Sequence, residues 1–215
     1  PDNARSFALP PGLPQRLHYS ADGTRLLLMA DDDIAHVLDA TNGALRLTVP
    51  NVYAIDDHPD GLRYAIARLA PDGPEVLLVD DALQPTVLRF SVANLPQALA
   101  FNESGTLLAT LEGTTVRLFN IAQGDAQIWL LEDMTPLPRI LFNAASDRMA
   151  VLLADGQIAH WRIPMPGVIP PDPTLYEIQL QPAAEHLALD AIFQGEDLLI
   201  LDAVGELHPL TLGGE

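Results

Sequence analysis

Carboxylates are the reactive groups this sequence supplies in quantity. Asp and Glu number 29 against 11 basic residues, all of them Arg, and there is no Cys. Many of the acids fall in short turns between apolar runs: Asp31, Asp32 and Asp33, then Asp72, Glu112, Asp155, Glu196 and Asp197, with Glu132 and Asp133 in a connection. Gathered on one rim, they would form a negative surface suited to a basic peptide, an Arg-rich protein or a hard cation. Solvated hairpin turns, which favour Asp and Gly, account for the same residues without any partner. The Asp31-Asp32-Asp33 run is contiguous and lacks the Gly and distal Glu of a calcium loop. No metal ligand set is assigned.

Catalytic spacings are missing. His36 and His160 occupy matching places in IAHVLD and IAHWRI, on faces that pack toward neighbouring elements, and they belong to non-adjacent repeats. Structural roles fit both. His18, His58, His186 and His208 form neither H-x-x-x-H nor H-E-x-x-H. Asp56-Asp57-His58 could be joined to a remote serine as a hydrolytic triad, but Ser20, Ser104 and Ser146 all lie at turns, where Ser is ordinary. There is no G-x-S-x-G elbow, no phosphate-cradling loop and no dinucleotide fingerprint. The absence of Cys removes disulfides, thiolate metal sites and a thiol nucleophile. No catalytic residue and no cofactor is expected.

A formal charge of −18 repels phosphate backbones and anionic lipid, so neither nucleic acid nor a membrane surface is an expected partner. No apolar run reaches the ~20 residues of a spanning helix. No basic, apolar leader is present, which favours the cytoplasm. The chain opens at Pro1 instead of Met, which leaves room for a removed leader or an upstream domain.

The elements that carry these acids are short strands. Residues 96–132 hold four alternating runs, 97–101, 106–111, 115–121 and 127–131, separated by Asn-Glu-Ser-Gly, Glu-Gly-Thr and Gln-Gly turns. Three tight hairpins in succession predict a four-stranded antiparallel meander. The same unit recurs with first turns at Gly23, Gly61, Gly105, Asp147 and Ala184, a spacing of about 40 residues. Copies are expected over 15–49, 50–92, 93–135, 136–174 and 175–213, after a lead-in of 1–14 whose RSFAL forms one strand. In the fourth copy, Pro164, Pro166, Pro170, Pro171 and Pro173 occupy the place of the last strand, so that strand is expected to be missing or displaced. The fifth copy is expected to begin with a strand at 176–180 and to own all four strands. No helical period is found, and the fold class is all-β.

Third runs of four copies end in an apolar residue followed by Asp or Asn: Leu38-Asp39, Val79-Asp80, Phe119-Asn120 and Leu201-Asp202. First runs lead into Ser/Asp/Gly turns, as in HYSADGTRLLLM and AFNESGTLLATL. Over residues 15–213 the pattern resembles a degenerate WD-repeat β-propeller. No third run ends in Trp-Asp, no Gly-His precedes a copy, and the fourth copy has Arg162-Ile163 instead. The family's polar tetrad is therefore not carried over. The resemblance implies four-stranded blades around a channel, about five here, closed as a small ring or belonging to a larger one.

The expected function is a protein–protein interaction scaffold within a larger chain or complex. Its contacts would be the acidic turns and the Pro-rich loop at 164–173, where Met165, Val168 and Ile169 are apolar residues in a segment that cannot pair. Covering the edge of the fourth blade is the other role open to that loop. Alternatives are an enzymatic propeller of lactonase or hydrolase type, with a metal or acid/base site at the channel mouth, and a purely structural subunit.

Overall fold

The computed structural model describes residues 8–20, 23–80, 82, 85–124, 126–131, 134–163, 179–182 and 188–212. Among these every regular element is a strand, and no helix is long and apolar enough to cross a membrane. Two compact units result, Pro1–Ser91 and Val92–Glu215.

The first unit holds two antiparallel sheets, each laid down in chain order. One is β1 (Pro14–Tyr19), β2 (Arg25–Ala30), β3 (Ile34–Asp39) and β4 (Leu45–Pro50). The other is β5 (Ala54–Asp57), β6 (Arg63–Ala70), β7 (Gly73–Asp80) and β8 (Pro85–Ser91). They face each other through Leu27, Met29, Val37 and Val49 on the first and Ile55, Tyr64, Ile66 and Leu77 on the second. Each such side chain withdrawn from water contributes about 1.5–3 kcal/mol, which is why neither meander stands alone.

The second unit holds three sheets. The first is β9 (Ala98–Phe101), β10 (Leu107–Glu112), β11 (Thr115–Asn120) and β12 (Ala126–Leu130). The next is β13 (Pro136–Phe142), β14 (Arg148–Leu153), β15 (Gln157–Arg162) and β16 (Gln179–Pro182). The last is β17 (Ala188–Gln194), β18 (Asp197–Asp202) and β19 (Leu207–Leu210). Period two along β14 shows how they stack. Met149, Val151 and Leu153 join Leu107, Leu111 and Leu118 on one side. Ala150 and Leu152 join Ala191, Leu198 and Ile200 on the other. A strand buried on both faces reads as a continuous apolar run, as RMAVLL does.

Turn chemistry repeats with the sheets. Ser20, His58, Asn102 and Asn143 each follow a first strand and accept the N–H of residue i+3. Those partners, Gly23, Gly61, Gly105 and Ser146, all have φ between 59° and 71°. Glycine fills this left-handed position at no steric cost, and Ser146 alone departs from it. The terminal Asp or Asn of the apolar–acid pairs closes the next reversal locally. Asp39, Asp80, Asn120 and Asp202 accept through Oδ1 from the N–H two residues on, at 2.8–3.0 Å.

Two expectations change. The run expected to open the fifth copy instead closes the fourth sheet, where Ala159 pairs with Leu180 and Ile158 with Gln181. The fourth strand is thus displaced beyond the prolines. An alternating segment has no intrinsic preference between two edges, and here it takes the outer edge of β15. The fifth sheet accordingly has three strands among the described residues, with β17 as its first. Its edge strand carries Pro209 where the missing donor costs nothing. Asp202 donates its N–H to the Glu206 carbonyl at 3.0 Å, so the bonded positions of β19 are even-numbered and Pro209 points its nitrogen away from β18. Residues 5–7 of RSFAL lie outside the described residues, and Ala8 and Leu9 form no strand.

Candidate functional site

In the first unit two of the acidic turns are each joined through the backbone to residues lining a crevice. Asp31, Asp32 and Asp33 make the turn between β2 and β3, and all three are exposed. Asp31 is fixed by Leu13, whose N–H donates to Oδ1 at 3.0 Å, while the Asp31 N–H donates back to the Leu13 carbonyl at 3.0 Å. Asp33 stands at φ 58°, and its carbonyl accepts from Val52 N at 2.9 Å, in the segment joining β4 to β5. The next residue, Tyr53, donates to the Ala67 carbonyl of β6 at 2.9 Å. This connection therefore ties the first acidic turn to the strand that leads into the second, Pro71-Asp72, where Asp72 is exposed and lies 4.0 Å from Arg89 Nη2. Between the two sheets opens a crevice of about 380 Å³, lined by residues that include Val49, Pro50, Asn51, Ile66, Leu69 and Leu77.

In the second unit the acids separate. Glu112 is not on a solvated rim: it is 1% exposed. Its carboxylate accepts from Thr110 Oγ1 at 2.9 Å, Arg117 Nε at 3.0 Å and Ala93 N at 3.1 Å. Asp155 is exposed and closes its own turn on Gln157 N at 3.0 Å. Glu196 belongs elsewhere. It accepts from Arg148 Nε at 3.0 Å and Asn143 Nδ2 at 3.4 Å, beside the β13–β14 turn, at the opposite end of β14 from Asp155. Taking β17 as a second strand would have put the two together; as a first strand it parts them. Asp197 begins β18 half-buried. Glu132, Asp133, Met165, Val168 and Ile169 lie outside the described residues.

The residues weighed for catalysis have other engagements. Asp57 faces Arg25 Nη2 at 3.6 Å, and His58 faces Asp60 at 3.0 Å. Ser20 Oγ accepts from Arg25 N at 2.9 Å. His36 and His160 are both buried, as their matching places suggest. Burial, with Arg148 nearby, lowers the affinity of His160 for a proton. Sequence reasoning passed over Glu75, a buried acid gripped by Arg68 at 2.7 Å and by Arg89.

It also passed over Asp202, Glu206 and His208, whose ligand atoms lie within 4.8 Å of one another. Their donor types suit a divalent cation, yet Asp202 is fully buried and its oxygens already have partners. Oδ1 accepts from Glu206 N at 2.8 Å and Val204 N at 3.0 Å, and Oδ2 meets His208 Nε2 at 2.8 Å. Burial raises the Asp202 pKa, but the Glu206 N–H, His208 and the Val204 N–H outweigh it and hold the carboxyl below its ordinary range. A depressed folded-state pKa stabilises the fold at pH above the unfolded value of about 3.9, and that contribution disappears as pH falls through the folded value. Thermal midpoints measured from about pH 6 down to about pH 2 should therefore fall less steeply for Asp202→Asn than for the wild-type chain. Parallel profiles would mean that Asp202 is not held ionised by this turn.

Compared with known proteins, no family model and no curated sequence matches this chain.

Proposed function

We propose that this chain is a non-catalytic protein–protein interaction module, with its five sheets arranged as blades of a WD-repeat-like propeller. Consecutive meanders whose middle strands are buried on both faces support the blade reading, since such units satisfy their faces only by stacking. One observation carries the functional reading. Asp32 and Asp33 stand exposed, in a turn whose Asp33 carbonyl is bonded to Val52, with no cation among the described residues paired to them, whereas Glu75 and Glu112 are gripped by Arg. The partner surface is basic, matching a chain of charge −18.

Charge reversal at Asp32, Asp33 and Asp72 tests this. Three exposed contacts at about 0.5–1 kcal/mol each predict a loss of about 10- to 100-fold in partner affinity. Stability should stay within about 0.5 kcal/mol, because none of the three side chains is buried. Affinity capture compared between wild type and the Lys variant gives the measurement. The same proteins recovered in the same yield by both would remove the acidic turns as the contact surface.

A further inference from the structure

We infer that the outer edge of β12 receives an extended segment of a partner protein, added to the sheet as a further strand, with aliphatic or aromatic side chains at alternate positions. This edge belongs to the second unit, so the inference does not involve the acidic turns of the first and goes beyond the reading they carry.

β12 is the last strand of its sheet and is bonded on one side only, to β11. Leu131 donates its N–H to the Thr114 carbonyl at 2.8 Å, so the odd-numbered residues of this stretch face β11. The N–H and C=O of Ala126, Ile128 and Leu130 therefore point away from the sheet, and no partner among the described residues meets them. Ile128 and Leu130 are also 43% and 56% exposed, on one face of the strand. A row of open donors and acceptors lined by exposed apolar side chains is a template for another strand. Such edges are ordinarily guarded by Pro or by charge, and the other edges of these sheets are. Among the described edge strands, β1, β4, β8 and β13 carry both Pro and Arg, β16 and β19 carry Pro, and β5 and β17 carry Asp. β9 (ALAF) has neither, but its Ala98 and Leu99 are buried and it packs against β13. Among these edges β12 (AQIWL) alone is both exposed and unguarded. Its open backbone groups specify the conformation of the occupant, since only an extended chain can meet N–H and C=O pairs spaced along a strand. The sequence sets Asp125 before β12 and Glu132-Asp133 after it, so antiparallel pairing of two copies through this edge would bring like charges together at both ends. The occupant is accordingly a strand of another protein.

Random peptides displayed on phage and selected against the full chain supply the probe. The most enriched peptide is then synthesised unmodified and with N-methyl groups on either alternate set of its amides. N-methylation removes donors and leaves every side chain in place. Methylating the set that faces β12 should weaken binding about 10-fold or more, while methylating the other set should not. Ile128→Pro removes an outward N–H and no bond within the sheet, and it should weaken the unmodified peptide to a similar degree. Ile128→Lys, which leaves the backbone intact and places a charge on the edge, should do the same. An unchanged thermal midpoint in either variant shows that the sheet is kept. Equal effects of the two methylated forms, a peptide indifferent to both variants, or no enrichment would each overturn the inference. Peptides that lose affinity for Asp32→Lys/Asp33→Lys but not for the Ile128 variants would overturn it and leave the acidic-turn reading standing. Self-association of the chain that Ile128→Pro abolishes would assign the edge to a second copy and overturn it as well.

Discussion

Glu112→Ala is expected to destabilise the Val92–Glu215 unit by about 3 kcal/mol, several times what an exposed turn acid would cost. The carboxylate sits at the end of β10 with no exposed side-chain area and holds Arg117, whose side chain is only 16% exposed. Removing it strands a mostly buried guanidinium and withdraws acceptors from Thr110 and from the N–H of Ala93. Losing one partner of a buried pair costs about 3–5 kcal/mol, and the residual exposure of Arg117 places this case at the lower end. Glu112→Gln keeps an acceptor but not the charge, so it should fall between wild type and Ala. Urea unfolding followed by tryptophan fluorescence reads this unit directly, since Trp129 and Trp161 both belong to it. A change below about 0.5 kcal/mol for Glu112→Ala would return the residue to the solvent.

Arg25→Leu should be at least as damaging to the first unit. Arg25 and Asp57 have side chains 3% and 4% exposed, with Nη2 and Oδ2 3.6 Å apart. The guanidinium also donates to the Gly61 carbonyl at 2.8 Å and to the Tyr64 hydroxyl at 3.1 Å, and it lies 5.3 Å from the Tyr64 ring centroid. One side chain from β2 therefore grips the first turn of the neighbouring sheet. Leucine fills much of the volume but leaves Asp57 buried without this cation, at a cost of about 3–5 kcal/mol. Amide exchange over β2 and β5 measures the loss. The double variant Arg25→Leu/Asp57→Leu should recover more than about 1 kcal/mol relative to the sum of the single changes. Strict additivity would show that the two side chains do not act as a pair. Arg148 repeats the device one unit on, reaching from the first residue of β14 to Glu196 and to the Leu212 carbonyl.

Strand positions were legible because period two and turn residues act locally. The runs expected at 97–101, 106–111, 115–121 and 127–131 are β9 to β12, with no end shifted by more than one residue. Pairing across the prolines was not legible, because YEIQL alternates equally well on either neighbouring edge. The structure chose β15 for its described part, and with that choice the three remaining strands of the chain moved inward by one place.

The site was half legible for a related reason. Asp32 and Asp33 are exposed as a run of turn acids should be. Glu112, in an equally turn-like Glu-Gly-Thr, is buried because Arg117, Thr110 and Ala93 converge on it, and only the first two are near it in sequence. Arg25 offered no signal at all. An isolated Arg at the start of a strand reads as a surface residue until the sheet beyond it is placed. The crevice belongs to two sheets together, so no single run of residues announces it.

Every strand described here is hydrogen-bonded only to strands that come directly before or after it in the chain. Loop closure is then brief for almost every pairing, and a meander can zip up from its own hairpins on a microsecond scale without waiting for distant sequence. The exception is β16, which reaches β15 only across the proline-bearing connection. Refolding kinetics should consequently be limited by docking of preformed sheets and by that one long closure. During synthesis, the amino-terminal sheets can be complete while the last is still inside the ribosome.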